Sequence, residues 1–507
     1  MFDLKIVNAR VITGDGIPAF DGEVAVEAGQ IVEAAPHIDG SSLREIDADG
    51  RVVCPGFIDI HTHCTEAPSM NHIRQGCTLL VGGLCGFSTV DLPKLVSDFK
   101  ACPPAHNLSM FIGHNNVRDA VMGNEDRDPT KEELAQMRDI VRQAMEAGAV
   151  GMSAGLAYAP GCFSKTEELI EIAKVVAEYG GMYDPHQRDE TNDHMTSDEE
   201  TLRIGREAGL PVQISHYKVK GMHVAGQSRE LMDRLDVARQ SGQDVTVDVY
   251  PYTASCGRIT LLFPNWAIEG SYDDVLARLE NPETRARIKA HLLDQYETTF
   301  IHEAWRVMVA NAAADKRFEG MNVAEIAEMQ GRKPDGDGFA ETVMELTGIG
   351  RALVGTDRSS LVMCVYHQMA EEDVERIMQR PYAMIGSDAW AVKFGETHPH
   401  PRLYGTFPRV LGHYCRERGL FPLEEAVHKM TGLPAWRLGL KDRGILRKGA
   451  KADLTIFDAD TVIDRATFEA PHQYPVGVDY VIVDGQIVID QGEETGATPG
   501  VFVPRPF

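Results

Sequence analysis

Two histidines separated by one residue are the strongest chemical signal in the sequence. His61-Thr62-His63 directly follows the apolar run Phe57-Ile58-Asp59-Ile60. On an extended backbone the side chains of residues i and i+2 point the same way, so both imidazoles leave one face of the strand end together. Neutral imidazole is the commonest metal ligand in proteins. Two unrelated surface histidines are the alternative, but the position at a strand end favours a metal site.

Two further histidines follow short apolar runs in the same way. His186 comes after Gly181-Met182-Tyr183-Asp184-Pro185, and His216 comes after Val212-Gln213-Ile214-Ser215. Either histidine alone is more often an ordinary core or surface residue than a ligand. The evidence is that a histidine follows an apolar run more than once. If these runs are successive strands of one parallel barrel, their histidines meet at one centre, as a metal site needs.

A carboxylate follows a later apolar run, in Ile385-Gly386-Ser387-Asp388. A lone Asp after a strand is commonly a helix N-cap. A water molecule activated by a metal ion, however, needs a carboxylate within hydrogen-bond reach to take its proton and pass it to a leaving group. The sequence therefore predicts a hydrolytic metal centre with Asp388 as general base and general acid.

These residues need a scaffold that brings distant strand ends together. Between about residues 55 and 440, short apolar runs alternate with helical stretches, which favours parallel α/β architecture and, at six or more such units, a (β/α)8 barrel over an open sheet. The clearest helix is predicted from Lys131 to Ala147, with Thr130 and Glu133 as a capping box and Gly148 as its stop. The strands are predicted at 56–60, 78–81, 150–152, 212–214, 245–249 and 383–386.

Both ends of the chain alternate apolar and polar residues between Gly and Asp turns, as short antiparallel strands do. Separate strands are predicted at 4–7, 10–13, 22–26 and 30–32, and again at 452–457, 479–483 and 486–488. We expect residues 1–54 and 441–507 to form one small β-sandwich domain beside a barrel of residues 55–440. The charged, helix-rich stretch 264–350 is predicted to be an insertion before the last barrel strand.

Composition narrows the classes of partner. The 507 residues carry a formal net charge of −26, which disfavours phosphate backbones and anionic membrane surfaces. The first eight residues lack a signal-peptide pattern, no long uncharged apolar run is present, and the nine cysteines contain no CxxC pair. We therefore expect a cytoplasmic protein, with a small-molecule partner rather than nucleic acid or membrane, that could form a homo-oligomer.

Further motifs follow along nearly the whole chain. They are Gly113-His114-Asn115-Asn116-Val117-Arg118, His186-Gln187-Arg188-Asp189-Glu190, Ser215-His216-Tyr217-Lys218, Tyr250-Pro251-Tyr252, and a long run from His398 to Gly412. With Pro55 to His63 in front, their order resembles the amidohydrolase superfamily. The run from His398 to Gly412 is most similar to the N-acyl-D-amino-acid deacylases, or D-aminoacylases, within it. The resemblance implies a metal-dependent (β/α)8 barrel of the amidohydrolase type.

The resemblance also implies which residues hold metal. Deacylases use a cysteine after the second strand, and Cys85 in Leu84-Cys85-Gly86-Phe87-Ser88 has that position. A thiolate is a good zinc ligand and can bridge two ions. Carried over by the motifs, a tightly held zinc ion would lie on Cys85, His186 and His216. A second, weak or partly occupied site would use His61 and His63, with Cys85 shared and Asp388 nearby.

Substrate contacts follow from the same resemblance. The matching Lys, Tyr and Arg of the family, with a nearby Ser, bind the free α-carboxylate of the substrate, and here they correspond to Lys218, Tyr250, Arg402 and Ser255. Lys218 also lies two residues beyond His216, and the guanidinium of Arg402 matches a carboxylate bidentately. Tyr366 and Met369 are expected in the acyl pocket, because relatives place apolar groups there. The polar neighbours of these two leave open whether the amino-acid side chain is apolar or acidic.

The predicted function is zinc-dependent hydrolysis of N-acyl-D-amino acids to a D-amino acid and a carboxylic acid. Selection of the D enantiomer rests on the resemblance alone. One alternative is a hydrolase of the same superfamily acting on a cyclic amide such as a hydantoin, or on an atypical N-acyl or N-carbamoyl compound. Hydantoinase-like members carry a carboxylated lysine on the fourth strand, and residues 150–156 contain neither Lys nor an acid. A more remote alternative is a non-catalytic metal-binding scaffold.

Overall fold

The computed structural model describes residues 1–64, 69–349 and 362–506, so the last residue of the predicted insertion, 350, lies outside the described residues. The chain opens with β1 (Phe2–Val11), β2 (Phe20–Glu27), β3 (Gln30–Ala35), β4 (Ser42–Asp47) and β5 (Val52–Pro55). The prediction of separate strands at 4–7 and 10–13 is wrong, because residues 4–7 and 10–11 belong to the single strand β1, and residues 12–13 are not in a strand. The register with β2 shifts between Ile6 and Ala9, where Asn8 has φ 53°, so a local irregularity replaces the expected turn.

Strands and helices then alternate through the barrel. They are β6 (Phe57–Asp59), α1 (Met70–Ile73), β7 (Cys77–Gly82), α2 (Leu92–Ala101), β8 (Asn107–Met110), β9 (Ile112–Gly113), α3 (His114–Met122), α4 (Lys131–Glu146), β10 (Gly151–Gly155), α5 (Thr166–Glu178), β11 (Met182–His186), α6 (His194–Ala208), β12 (Val212–Ile214), α7 (Ser228–Gln240) and β13 (Val245–Val249). The predicted capping box of α4 is confirmed, with Thr130 and Glu133 as its members.

Between β13 and the last barrel strand come β14 (Ala254–Arg258), α8 (Tyr272–Glu280), α9 (Pro282–Thr298), β15 (Val307–Asn311), α10 (Val323–Met329), α11 (Gly336–Ile349) and β16 (Met363–His367). The elements from α8 to α11 lie within the predicted insertion, residues 264–350, which stays a prediction. The chain continues through α12 (Glu371–Met378), β17 (Ala383–Ile385), α13 (Arg402–Arg409), α14 (Leu423–Met430), α15 (Gly432–Arg437), β18 (Leu454–Phe457), β19 (Val478–Val483), β20 (Gln486–Asp490) and β21 (Glu493–Glu494).

Eight parallel strand positions close into a ring. β6, β7 and β8 pair in parallel, and β9, β10, β11, β12, β13 and β17 form a second parallel run. β8 and β9 are two halves of one strand on either side of Phe111, whose N–H donates to the carbonyl of Gly82 at 2.9 Å. A parallel bridge between Thr62 and Ala389 joins the first position to the last. The (β/α)8 prediction is confirmed in strand order and direction.

Strands from both ends of the chain share one sheet. Its order is β21-β20-β19-β18-β5-β1-β2-β3, with β4 also paired to β1. Pairing is mostly antiparallel, although β1 runs parallel to β4 and β5. The predicted small β-sandwich is thus realised as one hydrogen-bonded sheet of nine strands, while the domain boundaries at residues 54 and 441 stay predictions. β14, β16 and β15 form a separate antiparallel sheet, in that order. No helix among the described residues is both long and apolar enough to cross a bilayer.

A buried ion cluster links α3, which follows the third strand position, to α5, which follows the fourth. Glu168 on α5 lies 2.9 Å from Nε2 of His114 and 2.6 Å from Nη1 of Arg118, both on α3. Arg118 is fully buried and also donates to the carbonyl oxygens of Glu125 and Arg127, at 3.2 and 2.7 Å. The carboxylate therefore compensates a guanidinium that has no contact with water.

We expect Glu168→Gln to lower the free energy of unfolding by about 3 kcal/mol, because it leaves the buried guanidinium of Arg118 without its countercharge. Chemical denaturation of the two proteins measures the difference. Asp139→Asn is a matched control, because it removes one member of the exposed pair between Asp139 and Arg142. Equal stability of Glu168→Gln and the wild type would show that the cluster does not hold α3 to α5.

Candidate metal centre

The site lies where the barrel strands end. His61 follows β6, Cys85 follows β7, His186 is the last residue of β11, His216 follows β12, and Asp388 follows β17. Strands that run parallel around a barrel have their carboxyl ends on one rim, which is where barrel enzymes build their sites. Residues more than 300 positions apart in the sequence are therefore neighbours.

Three of these residues have a left-handed backbone. The φ angles are 51° at Cys85, 32° at His216 and 52° at Asp388. Such a conformation costs a non-glycine residue about 1–3 kcal/mol and persists only where the surroundings hold it. Here the N–H of His216 donates to Oδ1 of Asp248 at 2.8 Å, and the N–H of Asp388 donates to the carbonyl of His61 at 2.8 Å. The turns direct these side chains toward one centre.

Cys85, His186 and His216 form the first group of metal-ligand atoms. Sγ of Cys85 lies 3.7 Å from Nδ1 of His186 and 3.3 Å from Nε2 of His216, and all three residues are buried. Bonds of about 2.3 Å to sulfur and 2.0–2.1 Å to nitrogen, at a tetrahedral angle, would separate the atoms by about 3.5 Å. The spacing therefore fits a tetrahedral ion, and three protein ligands are typical of catalytic rather than structural zinc sites.

A second group shares Cys85. Sγ of Cys85 lies 3.5 Å from Nε2 of His61, and Oδ1 of Asp388 lies 2.9 Å from Nε2 of His63 and 3.8 Å from Nε2 of His61. The ligand atoms of these four residues all lie within 4.8 Å of one another. The structure thus places the five predicted metal ligands and Asp388 together, in two sets that meet at one thiol.

The charges of the centre favour ionised ligands. Burial alone would raise the pKa of the Cys85 thiol, but the neighbouring His216 and His61 outweigh it and hold the pKa well below its ordinary value. Burial would likewise raise the pKa of Asp388, yet Arg402, 2.8 Å away, and His216 hold it well below the usual range. Both groups are therefore anions, as a ligand and a proton acceptor have to be.

Two further carboxylates, which the sequence analysis did not assign, support the imidazoles. Asp248 on β13 lies 3.1 Å from Nδ1 of His61 and accepts from Nε2 of Gln213 at 2.9 Å. Glu190 lies 3.5 Å from Nδ1 of His216 and 3.5 Å from Nε2 of His186. The sequence held a signal for Asp248, because an acid within the apolar run 245–249 is buried and needs a partner. It also held a signal for Glu190, which ends the motif 186–190.

The predicted carboxylate clamp lies beside the centre and is engaged with protein groups. Lys218 is 2.5 Å from Oε1 of Glu190, and its ammonium, with His186, outweighs burial and holds the pKa of Glu190 well below its usual range. The guanidinium of Arg402 contacts Asp388 and lies 4.9 Å above the ring of Tyr250. The Tyr250 hydroxyl faces Sδ of Met369 at 3.9 Å.

Ser255 and Tyr366 lie directly opposite each other in the β14–β16 pair. Oγ of Ser255 accepts from Nε2 of Gln368 at 3.0 Å, and the hydroxyl of Tyr366 donates to the carbonyl of Arg258 at 2.8 Å. Both hydroxyls therefore bond to groups in or next to the β14–β16 pair, and the ring of Tyr366 packs in an apolar cluster with Phe300 and Phe339. The predicted roles of Ser255, Tyr366 and Met369 toward substrate stay predictions.

Tyr158 is a site neighbour that the sequence analysis missed. It follows β10, and its ring makes an edge contact with the imidazole of His186, with centroids 4.8 Å apart. Burial, with the negative charges of Cys85 and Asp388, raises the pKa of its hydroxyl well above the ordinary value. Tyr158 is therefore a neutral hydroxyl donor next to the centre, and no spacing in the sequence pointed to it.

Comparison with known proteins agrees with this geometry. A family model described as the amidohydrolase family matches residues 44–182 and 302–489. A D-aminoacylase of Alcaligenes xylosoxydans xylosoxydans is 35% identical over 99% of this chain and 98% of its own length. A crystal structure of D-aminoacylase, described as defining a novel subset of amidohydrolases, has a TM-score of 0.83 at 33% identity, with both chains fully covered.

A structure of N-acyl-D-glutamate deacylase from Bordetella bronchiseptica also has a TM-score of 0.83, at 31% identity and full coverage of both chains. That protein is complexed with zinc and a phosphonate inhibitor described as a mimic of the tetrahedral intermediate. Fold and site together define a metal-dependent hydrolase on a (β/α)8 barrel. The chain belongs to the amidohydrolase family and, within it, to the N-acyl-D-amino-acid deacylases.

We expect Cys85→Ala to lose its tightly bound metal ion, because both ligand sets lose their shared thiolate. Metal content per chain, measured by plasma mass spectrometry after dialysis, should fall from about one equivalent to below about a tenth, since site affinity depends on the ligand count. Cys102→Ala removes an exposed thiol and serves as the control. A Cys85→Ala protein with full metal content and full activity would contradict the ligand assignment.

Proposed function

We propose that the protein is a zinc-dependent hydrolase of N-acyl-D-amino acids, releasing a D-amino acid and a carboxylic acid. The observation that carries the proposal is a buried thiolate at zinc-ligand spacing from His186 and His216, beside the ionised Asp388. Zinc is the expected ion because Cys and His together are its preferred ligands. One ion would be held tightly by Cys85, His186 and His216, and a second, weaker site would use His61 and His63.

The reaction needs an electrophile, a nucleophile and a proton carrier. A bound zinc ion would supply Lewis-acid chemistry, which polarises the acyl carbonyl and acidifies water. Asp388 takes the proton of the attacking water and then delivers it to the departing nitrogen, since an amide nitrogen leaves poorly unless it is protonated. Tyr158 offers its neutral hydroxyl as a donor to the carbonyl oxygen, where negative charge develops.

Arg402, Lys218 and Tyr250 are the groups we assign to the free α-carboxylate of the substrate. Arg402 is paired with Asp388 and Lys218 with Glu190, so both cations are oriented before substrate arrives. Preorganised charges of this kind bind without a large cost of side-chain ordering. A substrate carboxylate would share the guanidinium of Arg402 with Asp388, which places the scissile amide near the proton carrier.

Substrate identity follows the relatives. They are named for D-amino acids, including D-glutamate, and on that basis we assign the D enantiomer and a linear amide to this chain. Tyr366 and Met369 are proposed to line the acyl pocket, and both apolar and acidic side chains remain candidates. The hydantoin alternative is disfavoured because the fourth strand, β10, carries no lysine. A free, metal-binding thiol at Cys85 suits the reducing cytoplasm, where we propose that the protein acts.

We expect Asp388→Asn to abolish hydrolysis while zinc stays bound. The amide cannot accept the proton of water, so kcat for an N-acetyl-D-amino acid should fall by about 10³-fold or more. Because the tight site does not include Asp388, the zinc content of the variant should match the wild type. Retention of more than a tenth of kcat would contradict the role of Asp388, and Asp98→Asn, at an exposed ion pair, is the control.

A neutralised α-carboxylate should bind poorly. We expect kcat/KM for an N-acetyl-D-amino acid amide to be about 100-fold lower than for the free acid, because the buried cations lose a charged partner. At saturating zinc, Lys218→Met should slow hydrolysis of the acid more than hydrolysis of the amide, because only the acid has a carboxylate to pair with the ammonium. Equal rates for acid and amide with the wild-type protein would contradict the clamp and favour another class of amide.

A further inference from the structure

We propose that Glu190 is a positioning residue that sets the orientation of both His186 and His216 and also holds Lys218, so that one carboxylate supports the tight metal site and the substrate clamp together. This inference rests on the proposed function, because it assigns Glu190 a role toward the metal site and the clamp. Glu190 does not touch substrate or ion in this arrangement. It acts through the three side chains that do.

The two imidazoles face Cys85 through different nitrogens. His186 directs Nδ1 toward the thiol and His216 directs Nε2 toward it. The remaining nitrogens, Nε2 of His186 and Nδ1 of His216, both lie 3.5 Å from Glu190, one at each carboxylate oxygen. A single side chain on the loop after β11 therefore lies behind the two rings at once.

The ring nitrogens that face away from Cys85 need a hydrogen-bond acceptor. A neutral imidazole that binds an ion through one nitrogen carries its proton on the other, and that N–H needs an acceptor to fix the ring and the tautomer. Both rings are buried, so water cannot easily supply it. Glu190 is the residue whose carboxylate oxygens lie 3.5 Å from each of these two nitrogens, and Nε2 of His186 has no hydrogen-bond partner among the described residues, so Glu190 is the acceptor we assign to it.

Lys218 completes the arrangement. Its Nζ lies 2.5 Å from Oε1 of Glu190 and 3.1 Å from the carbonyl of His216. Nζ is also 2.8 Å from Nδ1 of His216, a contact in which it can donate only while that nitrogen carries no proton. When Nε2 of His216 binds an ion, Nδ1 holds the proton, so the ammonium has to move away from Nδ1, and Oε1 of Glu190, 3.5 Å from Nδ1, is then the acceptor we assign to both groups.

The backbone of Glu190 is fixed as firmly as its side chain. Its carbonyl accepts from the N–H of Lys220 at 2.8 Å, which ties the loop after β11 to the segment after β12. The residue is 4% exposed, so its charge is compensated by these partners rather than by water. One rigid carboxylate thus couples the ligands of two neighbouring strands.

Glu190→Gln tests the assignment, since it keeps the volume and removes the charge. Zinc binding, measured by competition with a chromogenic chelator, should weaken by about 10- to 100-fold. The cobalt-loaded protein should show an altered thiolate-to-cobalt absorption band, because the ring orientations change. At saturating zinc, KM for an N-acetyl-D-amino acid should rise about tenfold through the loosened Lys218, with a smaller effect on kcat.

Two further variants complete the design. Glu190→Asp keeps the charge but is one methylene shorter, so it cannot reach both rings, and it should show an intermediate loss of zinc affinity; it also serves if Glu190→Gln fails to fold. Glu200→Gln is the matched control, because Glu200 pairs with Arg188 on the same side of the barrel without contacting a predicted ligand. It should keep wild-type zinc affinity.

Unchanged zinc affinity and an unchanged cobalt spectrum in a folded Glu190→Gln or Glu190→Asp protein would overturn the proposal. So would an equal loss in Glu200→Gln, which would indicate general destabilisation. Neither readout needs turnover of any substrate. If the wild-type protein hydrolyses no N-acyl-D-amino acid but the zinc affinity of the variants falls as expected, the proposed reaction is wrong and the role of Glu190 toward the ligands stands.

Discussion

The buried thiolate of Cys85 is the interaction on which the rest of the site depends. It belongs to both sets of ligand atoms and lies within 3.7 Å of a ring nitrogen in His61, His186 and His216. A desolvated anion is costly unless positive charge surrounds it. Protonated imidazoles, or a metal ion bound among neutral ones, would provide that charge. Removing the thiol would leave two half-sites with no common ligand.

Around this thiolate the charges alternate in sign. Asp388 is paired with Arg402, and Glu190 is paired with Lys218, so these two buried anions each have a buried cation beside them. The chain as a whole carries a net charge of −26, yet Arg402 and Lys218 lie beside the centre, where we propose that they bind an anionic substrate. On that proposal, local charge rather than net charge decides which ligand can enter.

The scaffold stabilises an arrangement that the local backbone disfavours. Cys85, His216 and Asp388 all have positive φ, and each turn comes directly after a short strand. Strands of three to six residues, fully buried and paired in parallel with neighbouring strands, supply the rigidity that such turns require. Asp248 on β13 helps to hold this arrangement, because it accepts a hydrogen bond from the N–H of His216 and lies beside the ring of His61.

The sequence by itself determined which strands are followed by residues able to bind a metal ion or carry a proton. His61, His63, His186, His216 and Asp388 were recognisable because each follows an apolar run, and a strand end is a local property. It could not separate Cys85 from the eight other cysteines without the family resemblance, since a ligand and a buried thiol look alike in isolation. Only the tertiary structure decided that Glu190, Asp248 and Tyr158 stand behind or beside the ligands. Glu190 and His186 are only four residues apart, but the other contacts join segments that are distant in the chain, and their distances depend on how the barrel closes.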